Sequence, residues 1–382
     1  MQQPPNNNQE MNQMESGKVK GRRFIIAGGG TGGHIFPAIA IANALKKNAP
    51  QSVFLFVGAD GKMEMEKVPQ AGYEIKGLTI AGFNRSSLIK NIRLPFKLLK
   101  SFFQVSSILK SFSPDAVIGV GGYSSFPVLR YAQSKGIPTF IHEANSFAGK
   151  SNILLGKNAT RIFTAIDGME KFFPPEKISI SGNPVRNAIA HNRVQKEDAL
   201  RYFGLQKGKK TVLSVGGSLG AKSINEAIGK QLDLLLQKGI QLIWQTGTSY
   251  KSEAERLCKG HDGIYMNDFI TEMPNAYAAA DFVISRSGAM AVSELCIVGK
   301  PVIFVPYPYA AEDHQTVNAQ KLVNNHAAML IEDKEALNKL VPALLALTQN
   351  SSLQESLSYH ISQMAIYDAD QRIAEEILAY LN

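Results

Sequence analysis

The sequence predicts an α/β protein made of two doubly wound, parallel-sheet domains that face each other across a cleft. Three observations predict it. Glycine-rich turns occur twice, each between an apolar strand and a helix: Phe24-Ile25-Ile26-Ala27-Gly28-Gly29-Gly30-Thr31-Gly32-Gly33-His34, and Thr211-Val212-Leu213-Ser214-Val215-Gly216-Gly217-Ser218-Leu219-Gly220-Ala221. Strand-like and helical segments alternate through both halves, the pattern of parallel sheets. The length of 382 residues is enough for two domains of ordinary size.

In chain order, residues 1–20 are rich in Gln, Asn and Pro and lack an apolar core. They read as a disordered tail rather than a signal peptide. Phe24–Ala27 is a buried strand, Ile35–Lys47 a helix with small and apolar residues on one face, and Val53–Gly58 a second strand. Ala116–Val120 leads into another glycine turn, Gly121-Gly122-Tyr123-Ser124. Thr139–His142 ends in His142-Glu143-Ala144-Asn145, and Ile162–Thr164 and Ile178–Ser181 complete the first half. The linker is placed around Gly182–Asn192. Strands Val212–Val215, Gln241–Gln245, Ile264–Met266, Phe282–Ser285 and Val302–Val305 follow, alternating with helices near Ser223–Lys238, Ser252–Lys259, Met273–Ala280, Ala289–Val298 and Thr316–Asn325. Asp370–Leu381 is amphipathic and suits a helix crossing back to brace the first domain. The expected division is a tail over 1–20, domains over 21–186 and 187–367, and a C-terminal helix over 368–382.

A short strand running through glycines into a helix presents backbone N–H groups and the positive end of the helix dipole to an anion. In parallel sheets ligands gather at the carboxyl ends of the strands, where all these turns fall. The balance of 41 Lys plus Arg over 32 Asp plus Glu, formally +9, also favours an anionic partner. Nucleic acid is disfavoured, because zinc-finger spacing, an aromatic RNA-binding motif and a basic recognition helix are all missing from the sequence. Cys258 and Cys296 lie far apart and read as reduced thiols. No cluster has convincing metal-ligand spacing, and Asp368-Ala369-Asp370 reads as a helix cap. No apolar run reaches the ~18–20 residues that span a bilayer, so a cytoplasmic protein is expected.

Between Glu74 and Asp115 there is no acidic residue. Lys76, Arg85, Lys90, Arg93, Lys97, Lys100 and Lys110 are instead interleaved with Leu88, Ile92, Leu94, Phe96, Leu98, Leu99, Phe102, Phe103, Ile108 and Leu109. An apolar face flanked by cations fits a helix lying on an anionic membrane surface. A core helix with a solvated basic face is the competing reading.

Taken together and in this order, Gly29-Gly30-Thr31-Gly32-Gly33-His34, Gly121-Gly122-Tyr123, His142-Glu143-Ala144-Asn145, Gly182-Asn183-Pro184-Val185-Arg186, Gly216-Gly217-Ser218, Ser285-Arg286-Ser287-Gly288-Ala289 and Gln315-Thr316-Val317-Asn318-Ala319 are highly specific. Over nearly everything after the tail, the chain resembles the MurG family. These are bacterial UDP-GlcNAc:lipid I N-acetylglucosaminyltransferases of peptidoglycan synthesis. The resemblance implies the GT-B fold of two Rossmann-like domains, and an inverting hexosyltransferase without a cofactor. It further implies transfer of GlcNAc to the C4 hydroxyl of MurNAc in undecaprenyl-diphosphate-linked muropeptide, giving lipid II. The implied location is peripheral, on the cytoplasmic face of the inner membrane, among other cell-wall synthesis proteins that serve cell shape and division.

Residue by residue, the resemblance places UDP-GlcNAc mostly on the second domain. Ser218 and Arg186 would meet the diphosphate, the backbone of Ile270 the uracil, and Ala289, Met290, Ala291, Val292 and Ser293 would line the nucleotide. Glu294 would accept the two ribose hydroxyls and Gln315 would hold the sugar. Thr31, Gly32, Gly33 and Asn145 would close over it. The acceptor diphosphate would meet Thr31, Gly32, Gly33, His34, Gly121, Gly122 and Tyr123. His34 is the candidate base: at a helix N-terminus the dipole favours its neutral form. His142 and Glu143 are ambiguous between structural and chemical roles. Helix N-termini, Arg186 and amides would stabilise the leaving diphosphate in place of a metal ion. Lys90, Arg93, Lys97, Lys100, Phe102 and Phe103 would touch the membrane. One departure is Leu219, where many relatives have Gln, which would keep a backbone contact but lose a side-chain one. Another GT-B UDP-sugar transferase, a UDP-GlcNAc 2-epimerase, or a non-catalytic membrane-docking scaffold are the rival readings.

Overall fold

The computed structural model describes residues 21–81, 94–217 and 219–382; the predicted tail, Lys90, Arg93 and Ser218 lie outside the described residues. The first half is a seven-stranded parallel sheet: β1 (Arg23–Ala27), β2 (Val53–Ala59), β3 (Glu74–Leu78), β4 (Ala116–Gly119), β5 (Thr139–Glu143), β6 (Arg161–Thr164) and β7 (Ile178–Ile180). Their spatial order is β3-β2-β1-β4-β5-β6-β7. The second half is a six-stranded parallel sheet of β8 (Lys210–Val215), β9 (Ile240–Gln245), β10 (Ile264–Asn267), β11 (Phe282–Ser285), β12 (Val302–Phe304) and β13 (Met329–Leu330), ordered β10-β9-β8-β11-β12-β13. Strand order reverses between β1 and β4 in one sheet and between β8 and β11 in the other. At such a switch point the flanking loops part and leave a crevice.

The central strands read as apolar runs because helices cover both of their faces. Phe24 and Ile26 point to one layer, with Ile41, Leu45 and Phe56, while Ile25 points to the other, with Leu55, Val117 and Leu129. The second sheet is likewise split, Leu213 and Val283 on one side and Val212 and Ile284 on the other. Two strands are absent from the sequence reading. Edge strand β3 alternates charged and apolar residues and contains Gly77, and β13 has only two residues, so neither makes an apolar run. The helix expected over Ser223–Lys238 is two, Lys222–Lys230 and Leu232–Gln237, because Gln231 leaves helical geometry at φ −122°.

The chain crosses between the halves twice, at neighbouring places. Val185 and Ile189 already belong to the second core, so the first crossing lies around Gly182–Pro184. Gly182 has φ +83°, and a Cβ there would come within 2.8 Å of Ile366, on the returning strand of chain. The final helix, Ala369–Leu381, buries Ile373, Ala374, Ile377 and Leu378 in the first core beside the Gly32–Asn48 helix. Asp368 occupies its N-cap position without a side-chain cap bond; the carboxylate pairs with Arg372 at 3.0 Å instead, which corrects the capping expectation.

Candidate active site between the two sheets

On the first sheet, the turns after β1 and β4 pack backbone against backbone across the switch point. A Cβ on Gly28 would lie 2.9 Å from the Gly121 carbonyl oxygen, and one on Gly122 would lie 2.5 Å from the Gly29 oxygen. Gly121 and Gly122 also adopt φ of +94° and +84°, so glycine is required there on two counts. The helix that follows β1 begins at Gly32 with Thr31 as N-cap, and no side chain caps it. His34 lies in its first turn. Its Nδ1 is 3.0 Å from the Gly29 carbonyl oxygen, and its Cδ2–Nε2 edge faces Gly121. A carbonyl oxygen can only accept, so Nδ1 carries the proton and Nε2 is the free lone pair. The His34 pKa is lowered, chiefly by burial; the Gly29 bond, Glu143 and Glu64 act the other way. The imidazole is therefore neutral at pH 7 and able to take a proton.

Sequence reasoning missed Glu64. It is 1% exposed, and its carboxylate accepts the Gly30 amide at 2.9 Å and the Ala59 amide at 3.0 Å. One amide of the first glycine turn is thus already committed to an anion supplied by the chain itself. His142 and Glu143 resolve as supports. Glu143 is buried and accepts from the Asn145 amide, Asn145 Nδ2, the Gly149 amide and Asn152 Nδ2, at 2.9–3.2 Å, which folds the loop after β5 around it. Asn145 therefore commits its backbone N–H and one of its two Nδ2 hydrogens to Glu143.

His142 is 1% exposed, with Nε2 3.4 Å from the Gly182 oxygen. Its pKa falls to about 4, first because burial penalises the imidazolium and also because His34 is near; the Gly182 bond opposes this. The unfolded chain then binds a proton that the folded chain refuses between pH 6.5 and about 4. Stability is full above this window and falls as pH drops through it, by roughly 3 kcal/mol for a shift of this size. Urea unfolding at pH 7 and pH 4.5 should show this loss, and His142→Asn should remove most of it. An unaltered pH dependence in that variant would contradict the assignment.

The second sheet contributes the turns after β8 and β11. Gly220 and Gly247 pack closely, a Cβ on the former coming within 2.1 Å of the Thr246 oxygen. Gln245, at the end of β9, ties two segments together: Nε2 donates to the Gly217 oxygen at 2.9 Å, and Oε1 accepts the Ile270 amide at 3.1 Å. Ile270 is buried, and its N–H is already bonded to Gln245. Leu219 projects at 80% exposure beside this turn.

The Ala289–Val298 helix starts after Gly288 without a side-chain cap. From it, Glu294 accepts both Nε (3.1 Å) and an Nη (3.0 Å) of Arg186 on one oxygen, and the Tyr277 hydroxyl at 3.0 Å on the other. Burial first, and Glu294 second, push the Tyr277 pKa well above its usual value, so the phenol stays a donor. Arg186 also lies over the Phe36 ring, 4.9 Å from its centroid, which links the helix after β1 to the second half. Sequence reasoning selected both Arg186 and Glu294 for a nucleotide, but the structure pairs them with each other. Gln315 gives its Oε1 to the Tyr307 amide at 3.0 Å, leaving its NH2 to donate.

Three polar contacts join the halves near the crossing: Asn183 Nδ2 to Ser293 Oγ (3.0 Å), Ser146 Oγ to Asn318 Oδ1 (2.7 Å) and Lys321 to Asp167 (2.5 Å). They border a cavity of about 500 Å³ lined by Ser146, Asn183, Ala289, Ser293 and Asn318 among others. On the other side of the same helix, Met290 approaches Gly33, whose Cβ position is 4.0 Å from Met290 Cγ. Of the predicted residues, Ala289, Val292 and Ser293 line this cavity, Gly33 meets Met290 and Arg186 meets Phe36 across the two halves. Among the described residues there is no group of three or more His, Cys, Asp or Glu placed to hold a metal ion.

The Leu94–Phe112 helix contributes no residue to this cavity. It buries Ser101, Val105, Ile108 and Leu109, and exposes Phe96 (74%), Leu99 (59%) and Phe103 (71%) together with Lys97 and Lys100. Phe102 is half-buried and is not part of the outward face. Large apolar side chains on this face are solvent-directed, so the core-helix reading fails for them.

Two switch-point crevices in parallel sheets, one with a neutral imidazole and the other with a nucleotide-type glycine turn, fit the two-domain fold of glycosyltransferases. The glycosyltransferase family 28 N-terminal domain matches residues 24–164, and the family 28 C-terminal domain matches residues 211–373. The UDP-N-acetylglucosamine–N-acetylmuramyl-(pentapeptide) pyrophosphoryl-undecaprenol N-acetylglucosamine transferase of Parabacteroides distasonis is 49% identical, over 94% of this chain and 98% of its own. The crystal structure of Acinetobacter baumannii MurG superposes with a TM-score of 0.72 at 29% identity, covering 93% of this chain and 99% of that one. The chain belongs to this MurG family of N-acetylglucosamine transferases. A UDP-GlcNAc 2-epimerase from Neisseria meningitidis has a TM-score of 0.66 at 14% identity over 94% of this chain and 99% of its own, a likeness of fold alone.

Proposed function

We propose that this protein transfers GlcNAc from UDP-GlcNAc to the C4 hydroxyl of MurNAc in lipid I, with inversion, to form the β-1,4 linkage of lipid II. The observation that carries this reading is the 49% identity, over almost the whole of both chains, to a transferase of that name. The donor belongs on the second sheet and the acceptor on the first. His34 Nε2 takes the C4 proton as that oxygen attacks the anomeric carbon and UDP departs. The diphosphate and ribose diol of the nucleotide offer Arg186 and Glu294 replacement partners, so donor binding exchanges one internal ion pair for two contacts with the ligand. Holding both substrates in register and stabilising the departing diphosphate account for most of the rate.

Incubation with UDP-GlcNAc and a short-chain lipid I analogue should release UDP and form the disaccharide in equal amounts. UDP released without acceptor would favour hydrolysis, and UDP-N-acetylmannosamine would favour an epimerase.

No helix among the described residues is long and apolar enough to cross a membrane. We assign the Phe96, Leu99 and Phe103 face, with Lys97 and Lys100, to docking on an anionic leaflet, at the cytoplasmic face of the inner membrane. Each cation near such a surface contributes about 1 kcal/mol. Replacing Lys90, Arg93, Lys97 and Lys100 by Ser should release the protein from anionic vesicles, as should salt. Turnover of a soluble short-chain acceptor should hardly change. Parent-like vesicle binding by the quadruple variant would move membrane contact elsewhere.

A further inference from the structure

We propose that Glu64 is a positioning residue for His34, acting through the peptide group that joins Gly29 to Gly30. The N–H of that peptide donates to Glu64 Oε2 at 2.9 Å, while its C=O accepts from His34 Nδ1 at 3.0 Å. Carboxylate, peptide and imidazole therefore form one line. A carboxylate on the N–H side polarises the peptide and strengthens its carbonyl as an acceptor, which holds the proton on Nδ1 and leaves Nε2 bare. The logic is that of a carboxylate orienting a catalytic histidine directly, with one amide interposed.

Several features mark Glu64 as built for this position. It is 1% exposed, and among the described residues no Lys or Arg pairs with it. A buried carboxylate without a cation is costly unless donors satisfy it, and here the Gly30 and Ala59 amides do. Two glycines make its space. A Cβ on Gly29 would lie 2.2 Å from Glu64 Oε1, and one on Gly58 would lie 2.5 Å from its Cγ. The groups that act electrostatically on His34 are Glu64, Glu143 and His142, and Tyr123 feels Glu64. Of these, only Glu64 reaches the imidazole through a shared peptide. Glu143 is spent on the loop after β5.

The proposal rests on His34 being the base, and its tests are chosen to fail separately from that reading. Long-range ¹H–¹⁵N correlation on the full chain, with the His34 signal assigned by its loss in His34→Gln, should show the Nδ1–H tautomer. Glu64→Gln keeps the size but turns an NH2 toward one of two amide donors. It should lower kcat about 10–100-fold, part of the 10²–10⁴-fold that general-base assistance supplies, with the KM for UDP-GlcNAc unchanged. The acidic limb of the kcat profile should move to lower pH, because a negative charge near the imidazole is gone. In a His34→Ala background the same substitution should cost little more. An Nε2–H tautomer in the parent chain would overturn the proposal, even if Glu64→Gln failed to fold. So would losses that multiply in the double variant with an unmoved acidic limb. Retained turnover in His34→Ala would instead overturn the base itself.

Discussion

His34→Ala is expected to lower turnover about 10²–10⁴-fold, the usual worth of a general base, while affinity for UDP stays near that of the parent. The separation follows from position. His34 stands on the first sheet, with Nδ1 fixed by the Gly29 oxygen and Nε2 facing the turn after β4. The residues assigned to the nucleotide stand on the other sheet. Burial holds the His34 pKa below its ordinary value. The acidic limb of the rate profile should therefore lie below the pH at which an exposed histidine titrates, and should vanish in the variant. A fall of less than about tenfold with acceptor saturating would reduce His34 to a contact for the acceptor diphosphate.

Glu294→Ala should produce two losses at once. Donor affinity should fall by the hydrogen bonds from the ribose diol to a charged acceptor, roughly 1.5–3 kcal/mol. Stability should fall as well, because Arg186 and the buried Tyr277 hydroxyl lose their common partner. Stranding one half of a largely buried pair costs about 3 kcal/mol. Glu294→Gln, which keeps one acceptor oxygen for Arg186 but turns an NH2 toward the Tyr277 hydroxyl, should recover part of the stability but little of the ribose recognition. UDP titration and urea midpoints on both variants separate the two effects. Unchanged UDP affinity in folded Glu294→Ala would remove Glu294 from the donor site, and an unchanged midpoint would mean the Arg186 pair contributes nothing to the fold.

The architecture was legible because its strands are runs such as Phe24–Ala27 and Val212–Val215, buried on both faces and ended by glycine. Strand β3 was not, since an edge strand needs only one apolar face and Glu74-Ile75-Lys76-Gly77-Leu78 carries charge on the other. The site was legible where a residue type serves a local need: glycine in a turn, histidine in a first helical turn. It was illegible where partners come from afar. Glu64 meets Gly30 across 34 positions, Gln245 meets Ile270 across 25, and Arg186 meets Glu294 across 108. No local pattern announces such contacts. Arg186 and Glu294 were selected for their chemistry, but their mutual pairing depends on how the second core swings Val185 and Ile189 against the Ala289–Val298 helix.

The proposed reaction is a single displacement, in which one neutral imidazole on the first sheet deprotonates the acceptor hydroxyl while a nucleotide held by the second sheet leaves. Proton NMR of the disaccharide formed from UDP-GlcNAc and a short-chain lipid I analogue tests it most directly. The expected product has a β linkage to C4 of MurNAc, inverted from the α configuration of the donor. An α-linked product would require retention, which one displacement assisted by one base cannot give, and would exclude this mechanism.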